Sequence, residues 1–186
     1  MKRKVIAKQE NSRMCFVCGL QNPGGLHAAF FELENGDLMA TFTGHDHHNS
    51  YPGRLHGGVS ASVLDETIGR AILIRSRGET WGVTVEFTSR YKKPVPLDRP
   101  LRVVGRIVKE GSRMFEGTGE LLLEDGTVAV EGRGRYMKLP IEQIMDPHAV
   151  GLDWKVVPLP DDPTEVETGN QPEATPGASA SARGDS

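Results

Sequence analysis

The chain has 186 residues, of which 37% are hydrophobic and 25% are charged, and its net charge is −3 at pH 7. This length suits one domain with its own core, and no apolar run approaches the roughly 20 residues of a membrane-spanning helix. Residues 158–186 hold six acids and one base, a net charge of −5, which leaves +2 on residues 1–157. That small positive charge is compatible with an anionic small ligand and does not indicate a nucleic-acid-binding surface.

The two ends of the chain indicate which compartment the protein occupies and which part of the chain is ordered. The basic N-terminus, Met1 to Lys8, lacks the apolar stretch of a signal peptide, and two cysteines do not make a disulfide framework. We therefore expect a cytoplasmic protein without a membrane segment. Residues 158–186 contain too few large apolar side chains to offset the entropy of ordering, so a disordered acidic tail is predicted there.

The predicted elements follow in chain order as two strands, one long helix and four more strands. The strands are expected at residues 26–33, 38–42, 81–91, 101–108, 114–123 and 127–139, and the helix at 56–77 with Gly78 as its C-cap. This order is typical of an α+β fold in which one helix lies on an antiparallel sheet. The domain is assigned to residues 26–140, after an N-terminal leader (1–25) and before a C-terminal extension (141–157).

The start of the helix, His56-Gly57-Gly58, has two residues without side chains. A helix N-terminus presents unpaired N–H groups and a positive partial charge, and glycine lets a ligand oxygen approach them closely. This favours an oxyanion-binding role for these amides. The structural alternative is a glycine turn at a tight packing point.

Two adjacent acids, Asp65 and Glu66, lie in the middle of this helix. The helical neighbours of Asp65 are all small or apolar, which predicts a poorly solvated carboxylate with a raised pKa. Such an acid is either hydrogen-bonded for structure or used in catalysis. Glu66 has Arg70 four residues later, the spacing of a surface ion pair, so it is expected to face solvent.

These residues together resemble the hotdog-fold acyl-CoA thioesterases of the PaaI-like group. The resemblance rests on Leu55-His56-Gly57-Gly58-Val59 followed by Asp65, and on Gly82-Val83-Thr84-Val85-Glu86-Phe87 in the next strand. The segment from Cys15-x-x-Cys18-Gly19 to Leu26 also resembles a leader common among such proteins. The family implies a hotdog fold, with one long central helix on a curved antiparallel sheet of about six strands.

The resemblance also implies a site and an activity, hydrolysis of an acyl-CoA to the free acid and coenzyme A. By this resemblance, Asp65 matches the catalytic carboxylate and Thr84 matches a hydroxyl residue that helps to position the water or the carboxylate. The Gly57 N–H matches the group that polarises the thioester carbonyl, and His56 lies beside it. The family's sites lie between subunits, so a homodimer or homotetramer is expected, with no cofactor. Alternation in the strand nevertheless places Thr84 on its polar face, away from Val83 and Val85.

Further residues are candidates for binding the substrate. Gly58 lies at the helix start, and Asn49 stands one residue from the position where the family often has asparagine. Coenzyme A carries phosphates, for which basic residues near strand ends are candidates, namely Lys92, Lys93 and Arg113.

Three alternatives compete with this prediction. Cys15 and Cys18 with His27, His45, His47 or His48 have the residue types of a zinc site, but finger spacing is not met, so no metal is predicted. The three loop histidines, His45, His47 and His48, are instead expected at the surface. A non-enzymatic acyl-CoA-binding or sensor protein is possible because fold does not fix function. A hotdog hydratase would have an Asp-His pair ahead of the helix, a pattern that this sequence lacks.

Overall fold

A computed structural model describes residues 1–145 and 154–169 of the chain. It has one long helix, α1 (Gly57–Ser76), and short 3-10 turns at Asp46–His48 and Ile141–Gln143. The strands are β1 (Lys2–Lys8), β2 (Ala29–Leu33), β3 (Leu38–Thr43), β4 (Asn49–Tyr51), β5 (Arg54–Leu55), β6 (Trp81–Tyr91), β7 (Pro100–Glu110), β8 (Met114–Leu122), β9 (Val128–Leu139) and β10 (Glu165–Glu167). No helix among the described residues is long and apolar enough to cross a bilayer.

One large antiparallel sheet carries the helix. Its strand order is β10-β1-β2-β3-β7-β8-β9-β6, and β4 and β5 form a separate hairpin that leads into α1. The six predicted strands correspond to β2, β3 and β6 to β9. They are consecutive in the sheet, in the order β2-β3-β7-β8-β9-β6. The predicted arrangement of one helix on an antiparallel sheet is therefore correct, whereas the sheet has eight strands and not about six.

The two additional strands, β1 and β10, come from segments assigned to the leader and the tail. They pair with each other, with Arg3 opposite Val166, and β1 also pairs with β2. Val166 is buried in an apolar cluster with Phe31, Val104 and Leu122. The disorder predicted from residue 158 does not hold for 158–169, because one buried valine and main-chain pairing order a segment whose composition is polar. Residues 170–186 lie outside the described residues.

The apolar face of α1 packs on the sheet through the main core. Val63, Leu64, Ile68 and Ile72 are fully buried in this core, together with Phe30 of β2. Glycines beneath the helix allow the close approach: a Cβ at Gly82 would lie 2.7 Å from the Gly69 carbonyl oxygen. The helix begins and ends as expected, except that the C-cap is Arg77, at φ 53°, with Gly78 following at φ 86°.

Strand β6 contains a β-bulge between Thr84 and Glu86, where its register with β9 shifts. A bulge adds one residue to one strand and so reverses which side chains face the helix. Before the bulge the even residue Thr84 faces α1, and after it the odd residue Phe87 packs on the core. The bulge explains how Thr84 reaches the helix although strict alternation assigned it to the opposite face.

The N-terminal segment covers the middle of α1 at Glu66 and Arg70. Arg70 is buried, and its Nε donates to Glu66 Oε1 at 2.9 Å. The Glu66 side chain is only 20% exposed, and Cys15 Sγ donates to its other oxygen at 3.3 Å. The prediction that Glu66 faces solvent is therefore wrong, because the i,i+4 pair lies under residues that are distant in sequence.

Candidate active site

The carboxylate of Asp65 lies half-buried on the side of α1 that faces β6 and β9. The Thr84 hydroxyl lies 3.0 Å from both of its oxygens, and the Tyr136 hydroxyl donates to Oδ1 at 3.0 Å. Burial raises the pKa of Asp65, while the bonds from Thr84 and Tyr136 act in the opposite direction. These two donors fix the plane of the carboxylate and leave Oδ2 with the more open coordination.

Tyr136 was missed by the sequence analysis. It is fully buried, and its ring stacks on Phe115 with centroids 4.9 Å apart. Gly134 makes room for this ring, since a Cβ there would lie 2.4 Å from the Tyr136 hydroxyl oxygen. A buried tyrosine usually finds a hydrogen-bond partner for its hydroxyl. The run Gly132-x-Gly134-x-Tyr136 on one face of β9 was the available signal.

The N-terminus of α1 is built by His56 and Gly57. His56 is the N-cap, and its Nδ1 accepts the Gly58 N–H at 2.9 Å, so that amide is already paired. The Gly57 N–H, at the first helical position, has no intrahelical acceptor. Tyr91, also missed as a site residue, donates its hydroxyl to the Gly57 carbonyl oxygen at 2.8 Å. Its ring lies 3.3 Å from where a Gly57 Cβ would stand.

The predicted substrate-binding residues do not all come together in one chain. Asn49 is exposed in β4, opposite Leu55 in the hairpin that precedes α1. Lys92 and Lys93 follow Tyr91, so they lie near the start of α1, and Lys92 forms an ion pair with Glu131. Arg113 lies beside Lys138 in the turn between β7 and β8, at the opposite end of the sheet.

The predicted histidine and cysteine groups lie apart. His45 and His47 are exposed, as expected, but His48 is buried and bonds the Gly24 carbonyl oxygen at 3.1 Å. The expectation of three surface histidines is therefore wrong for His48, because the leader packs over it. Among the described residues, the ligand-type atoms close to Cys15 and Cys18 belong to Glu66 and not to a histidine.

Comparison with known proteins agrees with this architecture. Residues 52–130, which include His56, Gly57, Asp65 and Thr84, match the family described as the thioesterase superfamily. The mouse acyl-coenzyme A thioesterase THEM4 is 27% identical over 143 residues, which are 76% of this chain and 59% of the mouse protein. The chain thus spans about three fifths of that relative's length.

Two solved structures show the same fold. A crystal structure of a thioesterase superfamily protein has a TM-score of 0.61 at 30% identity and covers 67% of this chain and 63% of its own. The Escherichia coli PaaI protein has a TM-score of 0.55 at 16% identity, with 61% and 80% covered. The chain therefore has the hotdog fold of these structures, and its residues 52–130 are similar to the thioesterase superfamily. The predicted fold class and family resemblance are confirmed.

Proposed function

We propose that this protein hydrolyses acyl-CoA thioesters and that Asp65 is the carboxylate that acts on the thioester or activates a water. The observation that carries the proposal is the half-buried Asp65, held by Thr84 and Tyr136, with a pKa raised by burial. A raised pKa makes a carboxylate a stronger base, and a general base contributes about 10²- to 10⁴-fold to a rate. The name of the mouse relative supports the same class of substrate.

We propose that the Gly57 N–H polarises the thioester carbonyl, and that the Asp65 carboxylate that acts on the same thioester belongs to another subunit. Gly57 and Asp65 are eight residues apart on one helix, a separation of about 12 Å at 1.5 Å per residue. One thioester carbonyl cannot contact both groups of the same helix. A homodimer or homotetramer with the site at the subunit interface resolves this distance, and the long strand β6 at the edge of the described sheet is a suitable contact surface.

We further propose that the coenzyme A phosphates bind basic side chains that two subunits contribute. Lys92 and Lys93 lie near the helix start, whereas Arg113 lies at the other end of the sheet. Within one chain they do not form a single phosphate site. Asn49 and the hairpin of β4 and β5 lie beside the start of α1 and are positioned to contact the substrate.

The experiment is an assay of free coenzyme A release from short, long and aromatic acyl-CoAs, with Asp65→Ala and Asp65→Asn beside the wild type. We expect wild-type turnover of at least one substrate and a loss of kcat of about 10²- to 10⁴-fold in both variants. Full activity in Asp65→Ala would refute the role of Asp65. Saturable acyl-CoA binding without turnover by the wild type would favour the non-enzymatic binding protein.

A further inference from the structure

The motif Cys15-x-x-Cys18 is not used by the proposed hydrolysis, yet it lies against the residue that follows Asp65. Sγ of Cys15, Sγ of Cys18 and a carboxylate oxygen of Glu66 all lie within 4.8 Å of one another. Cys15 is half-buried and Cys18 is buried. Both are free thiols, one accessible and one protected behind it.

The turn that carries the two cysteines stabilises negative charge on Cys15. Its Sγ accepts the N–H groups of Val17 at 3.3 Å and Cys18 at 3.4 Å. The Gly19 N–H closes the turn on the Cys15 carbonyl oxygen at 2.9 Å, where a Cβ on Gly19 would lie only 2.3 Å from that oxygen. Backbone donors around a sulfur favour the thiolate, which is the nucleophilic form of cysteine.

Cys15 is the more acidic of the two thiols, and a thiol–disulfide exchange reaction requires this of the attacking cysteine. The hydrogen bond from Cys18 lowers the pKa of Cys15, with help from the backbone donors and against burial and the charge of Glu66. Donating that bond, together with burial, raises the pKa of Cys18. The neutral Cys15 thiol points at Glu66 Oε2, 3.3 Å away, which is an acceptor for its proton.

The position of Arg70 favours a thiol site over a metal site at this cluster. Its Nη2 lies 3.1 Å from Cys18 Sγ, its Nε 2.9 Å from Glu66 Oε1, and its guanidinium 4.3 Å from the centre of the Phe30 ring. Its Nη1 also donates to the Glu10 carbonyl oxygen at 3.0 Å. A fixed cation thus already neutralises this cluster, and it would repel a divalent metal ion placed on the same ligands.

We propose that Cys15 and Cys18 form a thiol–disulfide exchange site whose co-reactant is a low-molecular-weight disulfide such as oxidised glutathione. The Cys15 thiolate attacks one sulfur of that disulfide, so a mixed disulfide forms and one external thiolate leaves. Cys18 then loses its proton to solvent and attacks Cys15 Sγ, which releases the second external thiolate. Two protein thiols are oxidised to one disulfide, and one external disulfide is reduced to two thiols that take up the two protons.

The test uses the full chain, equilibrated with mixtures of reduced and oxidised glutathione, quenched with acid and analysed by intact mass. The wild type should lose two hydrogen atoms as the mixture becomes oxidising and regain them with dithiothreitol. Cys18→Ser should stop at the mixed disulfide with glutathione, because nothing resolves it. Cys15→Ser should remain largely unmodified, because Cys18 is buried.

Alkylation rates give a second readout that does not depend on the variants' folding. In the reduced wild type we expect Cys15 to react with iodoacetamide at least about ten times faster than Cys18, since one pKa unit changes the thiolate fraction tenfold. A wild type that stays reduced in oxidising glutathione, or equal modification of both single-serine variants, would overturn the proposal. So would one equivalent of bound zinc that protects both thiols from alkylation.

Discussion

Asp65 combines a fixed orientation with a raised pKa. Its hydrogen bonds with Thr84 and Tyr136 fix its orientation, while burial raises its pKa above the ordinary aspartate range. A carboxyl whose pKa is higher in the folded than in the unfolded state lowers stability as the pH rises through that interval. The folded protein therefore loses stability at neutral pH by keeping this charge in place.

Replacing the charge should reveal this loss. We expect Asp65→Asn to melt at a higher temperature than the wild type at pH 7, because the amide removes the desolvated charge and still accepts a bond from Tyr136. The difference should shrink as the pH falls through the raised pKa of folded Asp65 and should level off below about 3.9, where aspartate is protonated in the unfolded chain as well. Thermal denaturation across pH 3 to 8 measures it, and a variant that is less stable than the wild type at pH 7 would contradict the account.

Thr84 and Tyr136 should set the pH dependence of activity. Both bonds favour the charged carboxylate, so Thr84→Val and Tyr136→Phe should each raise the pKa of Asp65 and move the acid limb of the kcat/KM profile to higher pH. The control is Thr88→Val, an exposed threonine in the same strand. A limb that stays in place in both test variants would show that Asp65 does not control the profile.

The Gly57 amide can be tested without disturbing the helix. Gly57→Pro removes the N–H at the first helical position, where proline is tolerated, and the extended backbone of His56 suits a following proline. Gly57→Ala adds a Cβ at the same point near Tyr91 and keeps the N–H. We expect Gly57→Pro to lose about 10²- to 10³-fold in kcat relative to Gly57→Ala. Equal kcat values would exclude this amide as the oxyanion donor.

The contact between α1 and β6 determines whether Asp65 meets Thr84. Gly82 lies at the closest approach, where a Cβ would be 2.7 Å from the backbone oxygen of Gly69 and from the Phe115 ring. We expect Gly82→Ala to lower the free energy of unfolding by about 1–3 kcal/mol, because neither neighbour is the end of a flexible chain. Gly111→Ala, where the nearest atom is at 3.5 Å, is the matched control for urea denaturation. Similar losses in the two variants would argue against close packing at Gly82.

The sequence predicted those elements whose signal is local. The sequence predicts the helix because the residues at its start, its apolar period and the residues at its end are all local signals. It also predicts the environment of Asp65, because that depends on neighbours in the same helix. The bulge in β6 was not found, because it depends on pairing with β9. Tyr136 reaches Asp65 across 71 positions of the chain, and Glu66 is covered by Cys15 across 51. Contacts between distant segments decided the points on which the sequence was silent or wrong.

At the scale of the whole molecule, the sheet of the described residues is open and has β6 at one edge. Val85, 54% exposed at the bulge of this edge strand, and Tyr91, 53% exposed at its end, are large side chains available for a subunit contact. Pairing through β6 would bring the Asp65 region of one protomer towards the helix start of its partner. One site could then contain both an Asp65 and a Gly57, although the two residues are about 12 Å apart on one helix.

Subunit mixing tests this shared site. Asp65→Asn and Gly57→Pro should each be nearly inactive alone, while a mixed dimer has one site with a native Asp65 and a native Gly57 amide. Random exchange makes about half of the dimers mixed, each with one of two sites intact, so about a quarter of wild-type activity should return. If exchange is verified by mass and activity does not return, the two groups do not serve one site from different subunits.

The most direct measurement is kcat/KM for coenzyme A release by Asp65→Asn, set beside Glu116→Gln on the best acyl-CoA substrate. Both changes remove one carboxylate charge, but Glu116 pairs with Arg133, whereas Asp65 is held by Thr84 and Tyr136. We predict that Asp65→Asn loses at least about 100-fold while Glu116→Gln stays within about twofold of the wild type. Equal activity of the two variants would contradict the assignment of Asp65 as the catalytic carboxylate.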